Sequence, residues 1–316
     1  MSANWMCGLS FSPLIYNAAG AWCTTEKELQ DLGASKSGAI LIKSTTLEPR
    51  QGNLKPRWFE NDFGSINSMG LPNLGPRRYA EMVDSLKKYD KPVIASVSGM
   101  QPADYGPICA SFLEAGVDAI EVNLSCPNIV GKPQVAFDME TSKEVLKSVR
   151  AIAGSTPIGV KLPPYPDPVF SIQMVNVLKE VHIDFVVMIN SVPHTCMIDP
   201  RSEEFVIRNK FGGLGGKYVK PVAIGQVRRM YELFDGTVPI VGCGGIETGW
   251  DIVEHMLAGA TVVQVGTQLM KEGPKVFERL EREFLEALKE KGVDKPSELV
   301  GRARAREKQI DGMLDY

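Results

Sequence analysis

Cys126 has the setting that most invites a chemical reading in this chain of 316 residues. It lies in "NLSCPNIVGKPQ" (123–134), where Asn123, Ser125, Asn128 and Lys132 surround the thiol with hydrogen-bonding groups and Pro127 and Pro133 stiffen the backbone. A thiol so placed has three uses. A nucleophile usually needs a partner histidine, and none lies nearby in the sequence; a metal ligand needs companions. The third use is as a base that takes a proton in step with loss of a hydride, since a free thiol titrates near about 8.5. A buried structural cysteine remains the alternative.

Other residues could share that chemistry. Lys43 and Lys161 each end an apolar run. Lys161 could stabilise negative charge at the pyrimidine end of a reduced flavin, and Lys43 could face both the ring and an anionic substrate. Schiff-base formation is the other use of a desolvated lysine. "GSINSMGLPN" (64–73) brings Asn67, Ser68 and Asn73 close to Gly70. An amide both donates and accepts, so this stretch suits a flat substrate with carbonyl, amide and carboxylate groups. "VGCGGI" (241–246) and Gly266-Thr267 resemble a phosphate cradle: glycine lets backbone N–H groups approach an anion, and a helix beginning near Thr248 adds its positive end. "FGGLGG" (211–216) is a second, weaker place for close backbone approach.

The elements that must position these residues alternate along the whole chain. Candidate strands are 14–19, 38–43, 92–97, 118–123, 157–162, 184–190, 238–243 and 261–266. Helical spacing marks 25–35, 77–88, 103–115, 140–152, 169–181, 219–233, 249–258 and 273–291. Near-continuous Val/Ile runs fit strands buried on both faces, as in a parallel sheet. Eight such units predict a (β/α)8 TIM barrel in one domain, 1–316. A doubly wound sheet would want a G-x-G-x-x-G turn after an early strand, and the first strand here ends in Gly20 alone. Three long connections, 44–76, 124–139 and 191–218, are expected as lids or binding loops over the C-terminal face.

Composition narrows the classes. At 44% hydrophobic the chain can build a large core, and a net charge of −3 gives no electrostatic reason to expect nucleic acid. "RARARE" (302–307) is expected as a solvated helix face. Six cysteines without a C-x-x-C pair, and three histidines, argue against zinc; the His194/Cys196 pair is too sparse. No signal peptide and no membrane-length apolar run is visible, so the expected setting is the cytoplasm.

"NLSCPNIVGKPQVAFD", "GSINSMGLPN", "GVKLPPY", "FGGLGGKY" and "VGCGGI" together resemble the dihydroorotate dehydrogenases, specifically the soluble class 1A enzymes, over nearly the whole chain. The NAD-linked class 1B relatives, which use a partner subunit, usually lack the G-K-P-Q continuation. The membrane-bound class 2 enzymes put serine at the cysteine's place. The resemblance implies an FMN-containing barrel that oxidises (S)-dihydroorotate to orotate in pyrimidine biosynthesis and reduces fumarate to succinate. Cys126 would be the base at C5 of the substrate. Lys43, Asn67, Met69, Gly70, Leu71, Asn123, Asn128, Asn190 and Ser191 would hold the substrate. Ala19, Lys43, Ser44, Asn123, Lys161, Gly216, Gly244, Gly245, Gly266 and Thr267 would hold FMN. Arg57 and Lys132 match positions on and under the loops, and a homodimer is implied. One departure stands out: after Asn190-Ser191 the family usually continues with small residues, whereas this chain has "VPHTCMID" (192–199).

Overall fold

The computed structural model describes residues 4–126 and 134–305. Eight parallel strands form the barrel predicted from the alternation: β1 Ile15–Asn17, β2 Ile40–Thr45, β3 Val93–Val97, β4 Ala119–Asn123, β5 Ile158–Leu162, β6 Phe185–Met188, β7 Ile240–Cys243 and β8 Ala260–Val265. Their neighbours run β1–β8–β7–β6–β5–β4–β3–β2. Nearly every strand residue is buried, because helices cover the outside and side chains fill the inside. Gly159 leaves the space that the Phe185 ring occupies; a Cβ there would overlap the ring.

The seam between β1 and β2 closes through a side chain. Asn17 donates from Nδ2 to Leu41 O at 2.8 Å and accepts from Leu41 N at 2.9 Å. Its amide thus stands in for a peptide of the missing ladder and satisfies both buried backbone groups of Leu41. The N-terminal hairpin, Asn4–Met6 with Leu9–Phe11, packs Phe11 on Tyr16 of β1.

The outer helices follow the predicted spacing: α1 Glu26–Ala34, α2 Pro76–Ala80, α3 Val83–Lys87, α4 Tyr105–Glu114, α5 Met139–Ala153, α6 Pro168–Val181, α7 Lys220–Leu233, α8 Gly249–Ala258, α9 Thr267–Glu272 and α10 Val276–Glu290. Their starts obey local chemistry. Thr25 with Glu28, and Thr248 with Asp251, form capping boxes, and Asp167 caps α6 ahead of Pro168. No helix among the described residues is long and apolar enough to cross a membrane.

The connections 44–76 and 191–218 lie over the mouth, as expected of lids or binding loops. They pair into an antiparallel cap sheet ordered Val192–Thr195, Gly212–Gly215, Gly64–Asn67, Trp58–Asn61. Gly64, at φ +136°, packs directly against the Gly215 carbonyl, an approach that a Cβ would block. The start of "RARARE" is not helical: Ala303 N donates to Leu257 O at 3.0 Å and Gly301 N to Met256 O at 2.9 Å. Those bonds satisfy carbonyls at the end of α8, so this segment runs as a strap across the helix terminus.

Candidate functional site

The strands end in a cavity roofed by the cap sheet. Its wall holds Ala19, Lys43, Ser44, Asn67, Met69, Gly70, Leu71, Asn123, Cys126, Lys161, Asn190, Ser191, Gly216, Gly244, Gly245, Gly266 and Thr267. Every described residue that the resemblance assigns to substrate or FMN is therefore in one place. Asn128 and Lys132 lie outside those segments.

Register explains part of this convergence. Asn123 of β4 pairs with Lys161 of β5, so two adjacent strands present inward side chains at the same level. Lys43 is only 4% exposed, and its Nζ makes no hydrogen bond to a described residue. Its ammonium lines the cavity, placed to meet an anion there. The segment carrying Cys126 is held from both sides. Asn190 Nδ2 donates to Ser125 O at 2.7 Å and to Ser125 Oγ at 3.1 Å, while Ser125 N donates to Asn123 Oδ1 at 3.1 Å. Asn123 Nδ2 donates in turn to Ser44 Oγ at 3.2 Å, and Tyr105 OH to Asn123 O at 3.2 Å. The thiol thus follows a backbone stretch pinned by β4 and by the end of β6.

On the other side of the mouth the donors are backbone groups. The N–H groups of Gly245, Ile246 and Gly266 have no partner among the described residues. Gly245 sits at φ +75°, and a Cβ there would run into Lys220 of α7. Bare N–H groups at the ends of β7 and β8, where no side chain intervenes, fit a phosphate. Ser65 and Thr267 join hydroxyls at 2.7 Å and tie the cap to this cradle.

The expectations for Ser68 and Asn73 are corrected. Ser68 and Asn73 are buried in the framework: Ser68 accepts from Asn53 and from Asn209, and Asn73 donates to Thr46 Oγ1 and Leu71 O. Arg57 braces the turn before it by donating to Gln51 O and Asn53 O, outside the cavity wall. Pro193 and His194 fall in an irregularity of the cap's edge strand, between the paired residues Val192 and Thr195, where a proline removes no ladder bond.

Sequence reading missed a polar chain beneath the mouth. Lys161 Nζ donates to Gln264 Oε1 at 2.9 Å, and Gln264 Nε2 donates to Glu121 Oε2 at 2.6 Å and to Tyr16 OH at 3.2 Å. Glu121 is fully buried. Burial pushes its carboxyl pKa up, against the pull of the Lys161 charge and the Gln264 bond. The available signal was a lone polar residue inside each apolar run, Glu121 in "DAIEVN" and Gln264 in "TVVQVG".

Backbone donors over β7 and β8, with two lysines and a thiol facing them, define a (β/α)8 enzyme built around a phosphate-bearing cofactor. The comparisons with known proteins carry this to a family. The model of the dihydroorotate dehydrogenase family matches residues 1–288, and the chain belongs to that family. It is 42% identical over 301 residues to dihydroorotate dehydrogenase A (fumarate) of Lactococcus lactis subsp. cremoris, covering 93% of this chain and 96% of the relative. It is 43% identical over 282 residues to dihydroorotate dehydrogenase (fumarate) of Lachancea kluyveri, covering 87% and 90%. The crystal structure of DHODH in complex with ferulenol from Eimeria tenella shares the fold, with a TM-score of 0.79 at 22% identity over 95% of this chain and 88% of that one.

Proposed function

We propose that the protein oxidises (S)-dihydroorotate to orotate in pyrimidine biosynthesis, with FMN as cofactor and fumarate as the final acceptor, giving succinate. The observation that carries this reading is the gathering of Cys126, Lys43, Lys161 and the asparagines into one cavity with a backbone phosphate cradle, in a chain of this family. FMN, when bound, supplies the acceptor for the substrate hydride and the donor for fumarate.

The chain's own residues do the rest. Gly244, Gly245, Gly266, Thr267 and Gly216 hold the phosphate end, and Ala19, Ser44, Asn123 and Lys161 flank the ring. Lys43 supplies a fixed positive charge to a carboxylate-bearing substrate. Asn67, Asn123, Asn128 and Asn190, with Ser191 and the Met69–Leu71 backbone, read its amides and carboxylate. Cys126 takes the proton from C5, and the roof of cap strands restricts water at that step.

The chain is read as a single FMN-binding domain, 1–316. Second-copy association is supported by apolar surface on the cap: Phe63, Ile198 and Phe205 line one groove, 57%, 54% and 38% exposed. A homodimer would cover it. The six cysteines, all unbridged, suit the reducing cytoplasm.

The test is an anaerobic visible spectrum of the purified protein before and after adding dihydroorotate, then fumarate. A flavin band that bleaches with the first and returns with the second is expected. Bleaching without return would replace fumarate by another acceptor, such as an NAD-linked partner subunit. A colourless protein that cannot take up FMN would overturn the reading.

A further inference from the structure

Behind the cradle lies a histidine that touches neither the cavity nor the thiol. His255, on α8, is fully buried, and its Nε2 stands 3.0 Å from Gly244 O. The strand makes room for the ring: a Cβ on Gly242 would lie 2.5 Å from His255 Nδ1. A carbonyl can only accept, so Nε2 carries the proton and Nδ1 is bare. Consistent with that, Nδ1 is buried with no partner among the described residues. Burial, the largest influence, lowers the ring's pKa to about 4, so the imidazole stays neutral at ordinary pH.

Two other sources of positive charge beside the cradle are already engaged. Lys220 Nζ is 2.8 Å from both Asp251 and Glu254. The N–H groups of Glu247 and Thr248 both donate to Asp251 Oδ2. Of the loop N–H groups before α8, those of Gly245 and Ile246 are left to meet the phosphate, and their direction matters. In a trans peptide the carbonyl and the following N–H point opposite ways. Holding the Gly244 carbonyl back against α8 therefore turns the Gly245 N–H away from the helix.

We propose that His255 is the positioning residue of the phosphate cradle: its Nε2–H anchors the Gly244 carbonyl and thereby aims the Gly245 N–H at the phosphate of FMN. This rests on reading the ends of β7 and β8 as the FMN phosphate site.

The experiment titrates the full-length protein with FMN and with riboflavin, which lacks the phosphate, following flavin fluorescence. His255→Leu is expected to weaken FMN at least tenfold and leave riboflavin unchanged. His255→Gln, which keeps an N–H donor at similar reach, is expected to restore most of the FMN affinity. Equal loss of both flavins, or no loss of either, overturns the proposal. Should the leucine variant not fold, 15N spectra of the wild-type holoenzyme still decide: a His255 ring protonated on Nδ1 instead of Nε2 overturns it. Gly245→Ala separates the two readings. If it leaves FMN binding intact, the cradle itself is misplaced; if it weakens FMN while His255→Leu does not, only the role of His255 falls.

Discussion

The cradle at β7–β8 and the wall around Cys126 face each other across one cavity and are built on opposite rules. The cradle uses backbone N–H groups from two short runs of chain, Gly245 and Ile246 in one and Gly266 in the other, and a Cβ at Gly245 would run into Lys220. The wall uses side chains from separate strands: Lys43 from β2, Asn123 from β4, Lys161 from β5, Asn190 after β6 and Asn67 from the cap. A phosphate is recognised by its charge and can be met by any well-directed N–H. A reacting carbon needs a particular functional group within reach, and no single stretch of chain supplies all the groups that the wall brings together.

The comparison is broken most decisively at the thiol. Cys126→Ala is expected to slow flavin reduction by dihydroorotate by about 10²–10⁴-fold, the range for loss of a general base, with FMN affinity unchanged. Stopped-flow reduction beside a fluorescence titration checks both halves, and a parallel loss of FMN would merge the two regions. Lys43→Met comes next. Removing a nearly buried ammonium that meets a carboxylate should weaken orotate binding by about 2–5 kcal/mol, read by titration of the bound flavin's spectrum. Normal orotate affinity in that variant would take Lys43 out of the substrate wall.

Gly245→Ala should act on the cradle and on Lys220 behind it, leaving the wall intact. A residue with a Cβ at φ +75° costs about 1–3 kcal/mol, expected as weaker FMN binding with the reduction rate of the saturated protein little changed. The smallest effect lies behind the cradle, at Asp251. Burial raises its pKa, but the Lys220 ammonium and the N–H groups of Glu247 and Thr248 outweigh that and hold it below the ordinary carboxylate value. A depressed folded pKa contributes stability above the unfolded value, about 3.9, that is lost as pH falls through the folded one. Asp251→Asn should therefore lower urea midpoints slightly at neutral pH and flatten their fall below about pH 4. Identical acid profiles for the two proteins would show that this carboxylate contributes nothing.

Legibility in the sequence divides along the same line. The glycines of the cradle, the lysines at strand ends and the strands themselves are local features, set by the residues beside them. The cap sheet was not legible, because Gly64–Asn67 pairs with Gly212–Gly215 across more than a hundred intervening residues, and nothing in either segment names the other. Ser68 and Asn73 looked like binding groups for the same reason: a polar side chain in a loop reads alike whether it faces a ligand or braces the chain. Arg57 turned inward to its own loop, and the proline at 193 found an irregular edge that makes it harmless.

By itself the sequence determined the alternation of strands and helices, the two-faced burial that demands a parallel barrel, the glycine turns and the Asn-Ser-Cys run after β4. These follow from side-chain size, backbone freedom and hydrophobic period, which act over a few residues. Only the tertiary structure decided that Asn17 closes the seam, that Glu121 and Gln264 meet under Lys161, that His255 stands behind Gly244, and that the cap roofs the site. Each depends on which way a side chain points once distant strands are in register, and register is a property of the closed barrel.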